Sequence, residues 1–259
     1  MPRTFIDLSI AIEHGLPSDP PQMIPNIQYV GHDEGASQMA MFFPGIDPVK
    51  DLPDGKGWAL ESITLTTHSG THLDAPWHYH PKMSGGKKAL TIDEIPLEWC
   101  MGRGVKLDFR KFSDGYLVTA KDMERAFGDL RYTLSEGDIV LVNTGADKWW
   151  GRPEYLVKGC GMGREATLWL CERGVRVVGT DAWSWDRPLP SIAQDFAKTH
   201  DPSIIWEGHF ASIECGYCHI EKLTNLDLLP TTGFTVFCFP VKIKNASAGW
   251  IRAVARIDE

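Results

Sequence analysis

The hydrophobic and polar positions of the chain predict β-strands and α-helices that alternate along the sequence. Short runs of β-branched and apolar residues, which are typical of strands, fall at 5–10, 63–67, 138–143, 175–179, 234–239 and 252–257. Two helices are predicted, one from a cap formed by Thr119 and Asp122 to about Phe127, the other over 163–173 with Gly174 as its stop. This alternation predicts an α/β fold with a mixed sheet.

Length and charge narrow the domain organisation and the partners. The 259 residues can bury a sizeable core and contain no Ser/Gly-rich linker, repeat or low-complexity run, so we predict a single domain over residues 1–259. The chain carries 26 Lys and Arg against 34 Asp and Glu, a net charge of −8, and has no basic run. We therefore expect neither nucleic acid nor an anionic membrane as a partner.

The sequence also indicates a compartment. No apolar stretch approaches the ~20 residues of a membrane span, and residues 5–10 are typical of a strand and not of the apolar core of a signal peptide. We therefore predict a cytoplasmic protein whose six cysteines are reduced.

Four histidines and an aspartate are concentrated between residues 68 and 80. They are His68, His72, Asp74, His78 and His80. With 9 His in 259 residues, a window of this length should hold about half a histidine. Imidazole nitrogens and carboxylate oxygens, without a cysteine, suit Zn²⁺, Mn²⁺ or Fe²⁺. The cluster therefore predicts a divalent-metal site, and the alternative is a polar surface hairpin.

The spacing of the cluster favours an extended segment. Four side chains fall at even offsets, which an extended strand would place on one face: His68, His72, Asp74 and His78. Gly70 and Pro76 both disfavour a continuous helix. We expect the strand predicted at 63–67 to deliver His68 at its end, and we interpret His80 as a surface residue.

The string from His68 to His78, of the form HxGTHxDAPxH, resembles the signature of the cyclase family of metal-dependent hydrolases. This family includes bacterial kynurenine formamidases, isatin hydrolases and some polyketide cyclases. Downstream, Glu207-Gly208-His209 and the run Glu221-Lys222-Leu223-Thr224-Asn225-Leu226 resemble the second ligand pair of the family and its ENLTNL-like stretch. The resemblance implies the swivelling β/β/α type of architecture.

The resemblance also implies a binuclear metal site. Its ligands would be His68, His72, Asp74, His209 and Glu221. The first three would hold one ion, Asp74 would bridge to the second ion, and His209 and Glu221 would complete the second site. His78 matches the catalytic acid/base of the family. We expect one or two ions per chain, with Zn²⁺ as the ion and Mn²⁺ as the alternative, and the family implies a homodimer.

The function that follows is hydrolysis of an amide, imide, lactone or N-formyl bond of a small substrate by a metal-activated water. Two alternatives share the site, namely a polyketide-type cyclase or dehydratase and kynurenine formamidase proper. Formamidase-type members carry a Trp-Pro-Gly-Asp-like turn near the start, whereas this chain reads Leu16-Pro17-Ser18-Asp19. The ten tryptophans are interpreted as packing residues, with an aromatic substrate pocket as the alternative.

Three further features have competing interpretations. The run Gly159-Cys160-Gly161-Met162-Gly163 imitates a dinucleotide-binding turn, but Arg164 stands where the third glycine belongs. The run Cys215-Gly216-Tyr217-Cys218-His219 spells a haem attachment motif. We interpret its cysteines as core residues and His219 as a lining residue beside Glu221, and a haem-carrying or other non-enzymatic metal-binding protein is the rival hypothesis. Asp181, at the end of a predicted strand, either faces the site or caps the following turn.

Overall fold

A nine-stranded mixed β-sheet runs through the computed structural model, which describes residues 4–257. The strands of the chain are β1 Thr4–Asp7, β2 Asn26–Val30, β3 Leu60–Thr64, β4 His72–Asp74, β5 Lys82–Met83, β6 Lys87–Lys88, β7 Met101–Asp108, β8 Leu117–Val118, β9 Ile139–Asn143, β10 Gly161–Met162, β11 Val177–Thr180, β12 Cys218–Glu221, β13 Phe234–Phe237, β14 Ala248–Trp250 and β15 Val254–Ile257. The helices are α1 His32–Phe42, α2 Pro48–Asp51, α3 Pro76–Tyr79, α4 Ala120–Leu130, α5 Arg164–Cys171, α6 Leu189–Thr199 and α7 Glu207–Phe210.

The large sheet combines a parallel centre with antiparallel flanks. Its strand order is β1-β15-β13-β7-β9-β11-β12-β4-β14. Strands β7, β9, β11 and β12 run parallel to their neighbours in that series, and the remaining pairs of the sheet are antiparallel. The smaller pairs β2–β3, β5–β6 and β8–β10 lie outside this sheet. The predicted α/β fold with a mixed sheet is confirmed.

Both faces of the central strands are buried. On one face, Ile139 and Leu141 of β9 pack in a cluster with residues of β4, β12, β13 and β15. On the other face, Val140 and Val142 pack with Met123 of α4 and with residues of α5. Burial on both faces explains why β9 is continuously apolar and does not alternate. The core therefore holds β4 and β12 on a rigid support.

Most of the predicted elements occur near their expected positions. The Thr119–Asp122 capping box is present, and α4 continues three residues past Phe127 because Arg131 is the first residue with a left-handed backbone, at φ 52°. Strand β9 and helix α5 match their predictions with shifted ends. No helix within residues 4–257 has the length and apolarity that a membrane span requires.

The prediction that an extended segment carries the histidine cluster is wrong. Strand β3 ends at Thr64 and, within residues 4–257, pairs only with β2. It is followed by a turn in which Ser69 N–H donates to the Thr66 carbonyl at 3.1 Å. Gly70 takes φ +68°, a conformation that glycine adopts without steric cost and that ends the extended run. The segment from 68 to 78 is therefore a turn, a three-residue strand and a short helix.

Candidate metal centre

The pairing of β4 with β12 brings four ligand-type side chains together. Strand β12 is antiparallel to β4 with Glu221 opposite His72 and His219 opposite Asp74. Residues two apart in a strand share a face, and directly opposed residues share that face as well. The register therefore places two imidazoles and two carboxylates on one side of the sheet, and all four side chains are buried.

His68 and His78 reach the same place from elements on either side of β4. The turn before β4 brings His68 Nδ1 to 2.9 Å from Asp74 Oδ1. Helix α3 begins at Pro76, which suits the first turn of a helix, and carries His78 Nε2 to 3.8 Å from Asp74 Oδ2. The rings of His68 and His78 lie 4.1 Å apart between centroids. A turn and a helix thus achieve the convergence that an extended strand was expected to give.

His209 comes from α7 and is held by Asp186. The Asp186 carboxylate accepts hydrogen bonds from the backbone N–H groups of Gly208 and His209, at 2.8 and 3.0 Å, and contacts His209 Nδ1. This leaves His209 Nε2 directed at the cluster, 3.8 Å from Glu221 Oε1. The Trp206 ring stacks on the His209 imidazole with centroids 4.0 Å apart. A carboxylate behind a histidine is the usual way to orient a metal-binding imidazole.

His72 and His219 are oriented in the same manner. His72 Nδ1 lies 2.9 Å from the Gly70 carbonyl, so that nitrogen carries the proton and Nε2 is free to bind a cation. His219 Nδ1 lies 3.4 Å from the Tyr217 hydroxyl, and His219 Nε2 lies 3.0 Å from Asp74 Oδ2 and 3.2 Å from Glu221 Oε1. Both rings therefore present Nε2 to the two carboxylates.

Two buried atoms of this cluster have no hydrogen-bond partner among the described residues. They are His72 Nε2 and Asp74 Oδ1, which lie 3.3 Å apart. The contact of Asp74 Oδ1 with His68 Nδ1 at 2.9 Å is an ion-pair contact and does not have the geometry of a hydrogen bond. A buried polar atom without a partner is costly, and native proteins satisfy nearly all of them. A cation between an imidazole lone pair and a carboxylate oxygen would satisfy both atoms. Two groups of residues each have potential ligand atoms that all lie within 4.8 Å of one another. One group is Asp74, His209, His219 and Glu221, and the other is His68, Asp74 and His78.

The electrostatics of the cluster favour ionised carboxylates. Burial acts to raise the pKa of Asp74, but the imidazoles of His68, His78 and His72 outweigh burial and hold that pKa well below its usual range. Burial likewise opposes the ionisation of Glu221, and the hydrogen bond from His219 outweighs it to lower the pKa of Glu221 to about 2. Two negative charges in a buried site are the electrostatic counterpart of a divalent cation.

His78 differs from the other members of the cluster. Burial is the largest influence on its imidazole, and together with the charges of His68 and His209 it lowers the pKa of His78 to about 3. Its side chain keeps 25% of its surface exposed, compared with none for His72 and Asp74. His78 is therefore a neutral imidazole with access to the space above the cluster.

That space is a cavity of about 340 Å³ with apolar walls. The walls include Met23, Trp183, Leu189, Ile205 and Trp206, and the cavity is also lined by His68, His78, His209, Glu221 and Lys222. Large aromatic side chains beside a polar cluster are typical of a site for a small apolar molecule. Two of the tryptophans of the chain thus line a pocket, while Trp185 is fully buried in the core.

The structure brings together every residue that the sequence nominated for the site. His68, His72, Asp74, His78, His209 and Glu221 form one cluster. His80 lies outside it and bonds the backbone of Lys82. His219 does more than line the segment beside Glu221, because its Nε2 contacts the carboxylates of both Asp74 and Glu221. Its two-residue spacing from Glu221 in a strand was the available signal. Asp186 had no such local signal.

Asp181 caps a turn and does not face the cluster. Its carboxylate accepts hydrogen bonds from the Thr144 hydroxyl at 2.6 Å, from Thr144 N–H at 2.8 Å and from Gly145 N–H at 2.7 Å. Asp181 therefore caps a turn, as the second alternative proposed, but it is the turn after β9 and not the turn that follows its own strand.

Comparison with known proteins gives a consistent family. The Cyclase family model matches residues 6–187. The kynurenine formamidase of Erythrobacter litoralis (strain HTCC2594) is 26% identical over 215 residues, which cover 82% of this chain and 83% of that protein. The kynurenine formamidase of Salinibacter ruber (strain DSM 13855 / M31) is 28% identical over 200 residues, 76% of this chain and 79% of the relative.

Solved structures share the fold. An isatin hydrolase bound to the product analogue thioisatinate superposes with a TM-score of 0.75 at 20% identity, covering 99% of this chain and 93% of that one. Isatin hydrolase A from Labrenzia aggregata bound to benzyl benzoate gives a TM-score of 0.73 at 23% identity, with coverage of 99% and 94%. The architecture described above is thus one already seen in solved proteins.

Proposed function

Because the chain belongs to the Cyclase family, we propose that it is a metal-dependent hydrolase that cleaves an amide- or ester-type carbonyl bond of a small substrate. The kynurenine formamidases and isatin hydrolases that it resembles are named for reactions of this class. The observation that carries the proposal is the buried pair His72 Nε2 and Asp74 Oδ1, which lack a partner among the described residues and lie in a cluster of imidazoles and carboxylates.

The proposed ligands are those that the sequence nominated. His68, His72 and Asp74 would hold one ion, and Asp74 would bridge to a second ion bound by His209 and Glu221. Imidazole and carboxylate donors fit Zn²⁺ first and Mn²⁺ as the alternative. When bound, such an ion lowers the pKa of water toward neutrality and polarises a substrate carbonyl. Asp186 and the Gly70 carbonyl orient the imidazoles of His209 and His72 for this task.

His78 is the proposed acid/base. Its neutral ring can accept a proton from the attacking water at Nε2 and deliver it to the leaving nitrogen or oxygen. It lies close enough to Asp74 to act beside the ions, at 3.8 Å, and is open to the pocket. It is not required as a ligand.

The pocket suggests the kind of substrate. Apolar walls with Trp183 and Trp206 favour a compound that carries an aromatic ring beside its carbonyl group. Cyclic imides, lactones and N-formylated aromatic amines meet this description. Kynurenine formamidase proper is the alternative, and the turn 16–19, which lacks the tryptophan of the formamidase-type turn, argues against it.

The first test is the metal content of protein purified without chelators or a histidine tag, measured by elemental mass spectrometry. We expect about two divalent ions per chain, and their identity would decide between zinc and manganese. Protein that holds no ion and takes up neither metal would contradict the proposal.

The second test is product analysis with the candidate substrates in ¹⁸O-labelled water. Hydrolysis incorporates one labelled oxygen into the product and opens a cyclic imide or lactone. A polyketide-type cyclase or dehydratase would leave these compounds unchanged.

We also propose a homodimer in the cytoplasm. Sedimentation velocity at micromolar concentration would test the oligomeric state, and cell fractionation would test the compartment. Both stay predictions of the sequence.

A further inference from the structure

A buried ion pair joins the metal cluster to the wall of the pocket. Lys222 follows Glu221 directly, takes a left-handed backbone at φ 61°, and leaves only 1% of its surface exposed. Its ammonium group contacts the Asp19 carboxylate and donates a hydrogen bond to the His68 carbonyl at 2.8 Å. Lysine is almost never fully buried unless it is paired. Lys222 is part of the lining of the cavity.

The same pair fixes two parts of the cavity wall. Asp19 Oδ1, which faces the ammonium, also accepts a hydrogen bond from Trp183 Nε1 at 2.8 Å. The Lys222 ammonium lies 5.5 Å from the centre of the Trp183 ring. Lys222 is therefore bonded to the turn that carries His68, and through Asp19 it is connected to one aromatic wall of the pocket.

This pair contributes to the position of the groups around it and not to the net charge of the site. The Asp19 carboxylate lies against the Lys222 ammonium, so the pair as a whole adds no net charge to the site. His68 needs support because its side chain is 18% exposed and, unlike His72 and Asp74, it belongs to a turn and not to a strand. The hydrogen bond from Lys222 acts on the backbone of His68 itself.

We propose that Lys222, held by Asp19, is a positioning residue that places His68 for ion binding and Trp183 at the pocket wall. The inference rests on the proposed function, since it assumes that His68 binds an ion. Lys222 touches neither of the other candidate ligands of that ion through its ammonium group, so its effect should pass through His68 alone.

Removing the ammonium distinguishes positioning from electrostatics by the sign of the effect. If Lys222 acted only through its charge, the substitution Lys222→Met would remove a positive charge beside the site and strengthen cation binding. If Lys222 positions His68, the same substitution weakens the binding of one ion by about 10- to 100-fold, as is usual when the support of a metal ligand is lost. The ion of His209 and Glu221 should stay bound.

The experiment is a calorimetric titration of Zn²⁺ into protein stripped of metal with a chelator, with ion content measured separately by elemental mass spectrometry. Lys106→Met is the matched control, because the Lys106 ammonium also donates to a backbone carbonyl, that of Leu229, away from the cluster. We expect the control to bind two ions as the parent protein does and Lys222→Met to retain one at limiting zinc.

A companion variant guards against misfolding. Lys222→Met leaves the Asp19 carboxylate buried and unpaired, which is strongly destabilising. The double variant Asp19→Asn with Lys222→Met removes that charge and keeps an amide oxygen that can accept from Trp183 Nε1. We expect it to regain thermal stability and still to bind one ion weakly. Recovery of two ions at the parent affinity in this variant would overturn the proposal.

A last variant tests whether Lys222 acts through His68. In a His68→Ala background, Lys222→Met should cost no further ion affinity, since coupled residues are not additive. An additional loss in that background, or tighter ion binding in Lys222→Met alone, would refute the positioning role. Failure of the parent protein itself to bind zinc would instead contradict the proposed function.

Discussion

Two aspartates at strand ends are equally buried and have opposite environments. Asp74 is the last residue of β4 and Asp181 follows β11, and neither side chain is exposed. Asp74 is surrounded by imidazoles, and its Oδ1 has no hydrogen-bond partner among the described residues. Asp181 instead has both oxygens bonded to the backbone and hydroxyl of the turn at Thr144 and Gly145.

The pKa values of the two carboxyls move in opposite directions. Burial opposes ionisation in both cases. At Asp74 the neighbouring histidines outweigh burial, and the pKa falls well below its usual range. At Asp181 burial wins over the hydrogen bonds from Thr144 and Gly145, and the pKa rises to about 6. Burial alone therefore does not identify a functional carboxylate; the identity of its neighbours does.

The largest effect is expected at Asp74. Asp74→Ala removes the group that contacts His68, His72 and His219, so both ions should be lost and turnover should fall to the rate without enzyme. Elemental mass spectrometry and an activity assay on folded protein, checked by circular dichroism, would measure this. Two bound ions in Asp74→Ala would remove the distinction between the two aspartates.

His78 comes next, because it serves the reaction and not the ions. His78→Ala should retain the ion content of the parent and lose about 10²- to 10⁴-fold in turnover, the usual contribution of a general acid/base. Turnover numbers and ion content measured on the same preparation would separate the two effects. A fully active His78→Ala enzyme would contradict the assigned role.

The local half of the site was open to prediction from the sequence. The density of histidines between 68 and 78 identified four of its residues without any knowledge of the fold. The geometric reason given for their convergence was wrong, because Gly70 turns the chain and Pro76 starts a helix. The density of histidines thus indicated where the candidate ligands lie, and the backbone preferences of Gly70 and Pro76 determined the conformation of the segment.

The site residues that are distant in sequence from 68–78 were predicted only in part. His209 and Glu221 were nominated by resemblance, whereas the supporting carboxylates Asp186 and Asp19 were missed. Asp19 meets Lys222 across 203 residues of sequence, and no local periodicity reports a contact of that kind. Asp186 lies in an irregular segment before α6, where neither helical nor strand spacing applies. Such long-range contacts can be identified only from the folded structure, in which the sheet brings the segments together.

Asp186 shares one feature with each of the two aspartates compared above, and the third prediction concerns this residue. Like Asp181 it bonds backbone N–H groups, and like Asp74 it contacts a histidine of the cluster. Asp186→Ala should weaken the ion of His209 by about 10- to 100-fold and leave the ion of His68 unchanged. Competitive titration with a zinc chelator would measure both affinities. Unchanged affinity for both ions would mean that Asp186 only caps α7.

The smallest effect on the site is expected at Asp181, where the consequence is stability. Burial raises the pKa of the Asp181 carboxyl from its usual 3.8, which applies in the unfolded chain, to about 6 in the folded protein. Between these values the folded state keeps a proton that the unfolded state has lost, so this contribution to stability is present at about pH 4 and is lost as the pH rises through about 6, up to about 3 kcal/mol in all. Asp181→Asn removes the titration.

Urea unfolding of the parent protein and of Asp181→Asn at pH 4.5, 5.5 and 7 would test this. The difference in the free energy of unfolding, parent minus variant, should fall as the pH rises over this range, while ion content and turnover of the variant at pH 7 match those of the parent. A difference that is constant with pH would show that the Asp181 carboxyl is ionised throughout. The pKa of Asp74 is shifted in the opposite direction although the two carboxyls are equally buried. Loss of ions in Asp181→Asn would therefore mean that the neighbours of a buried carboxylate do not predict its role.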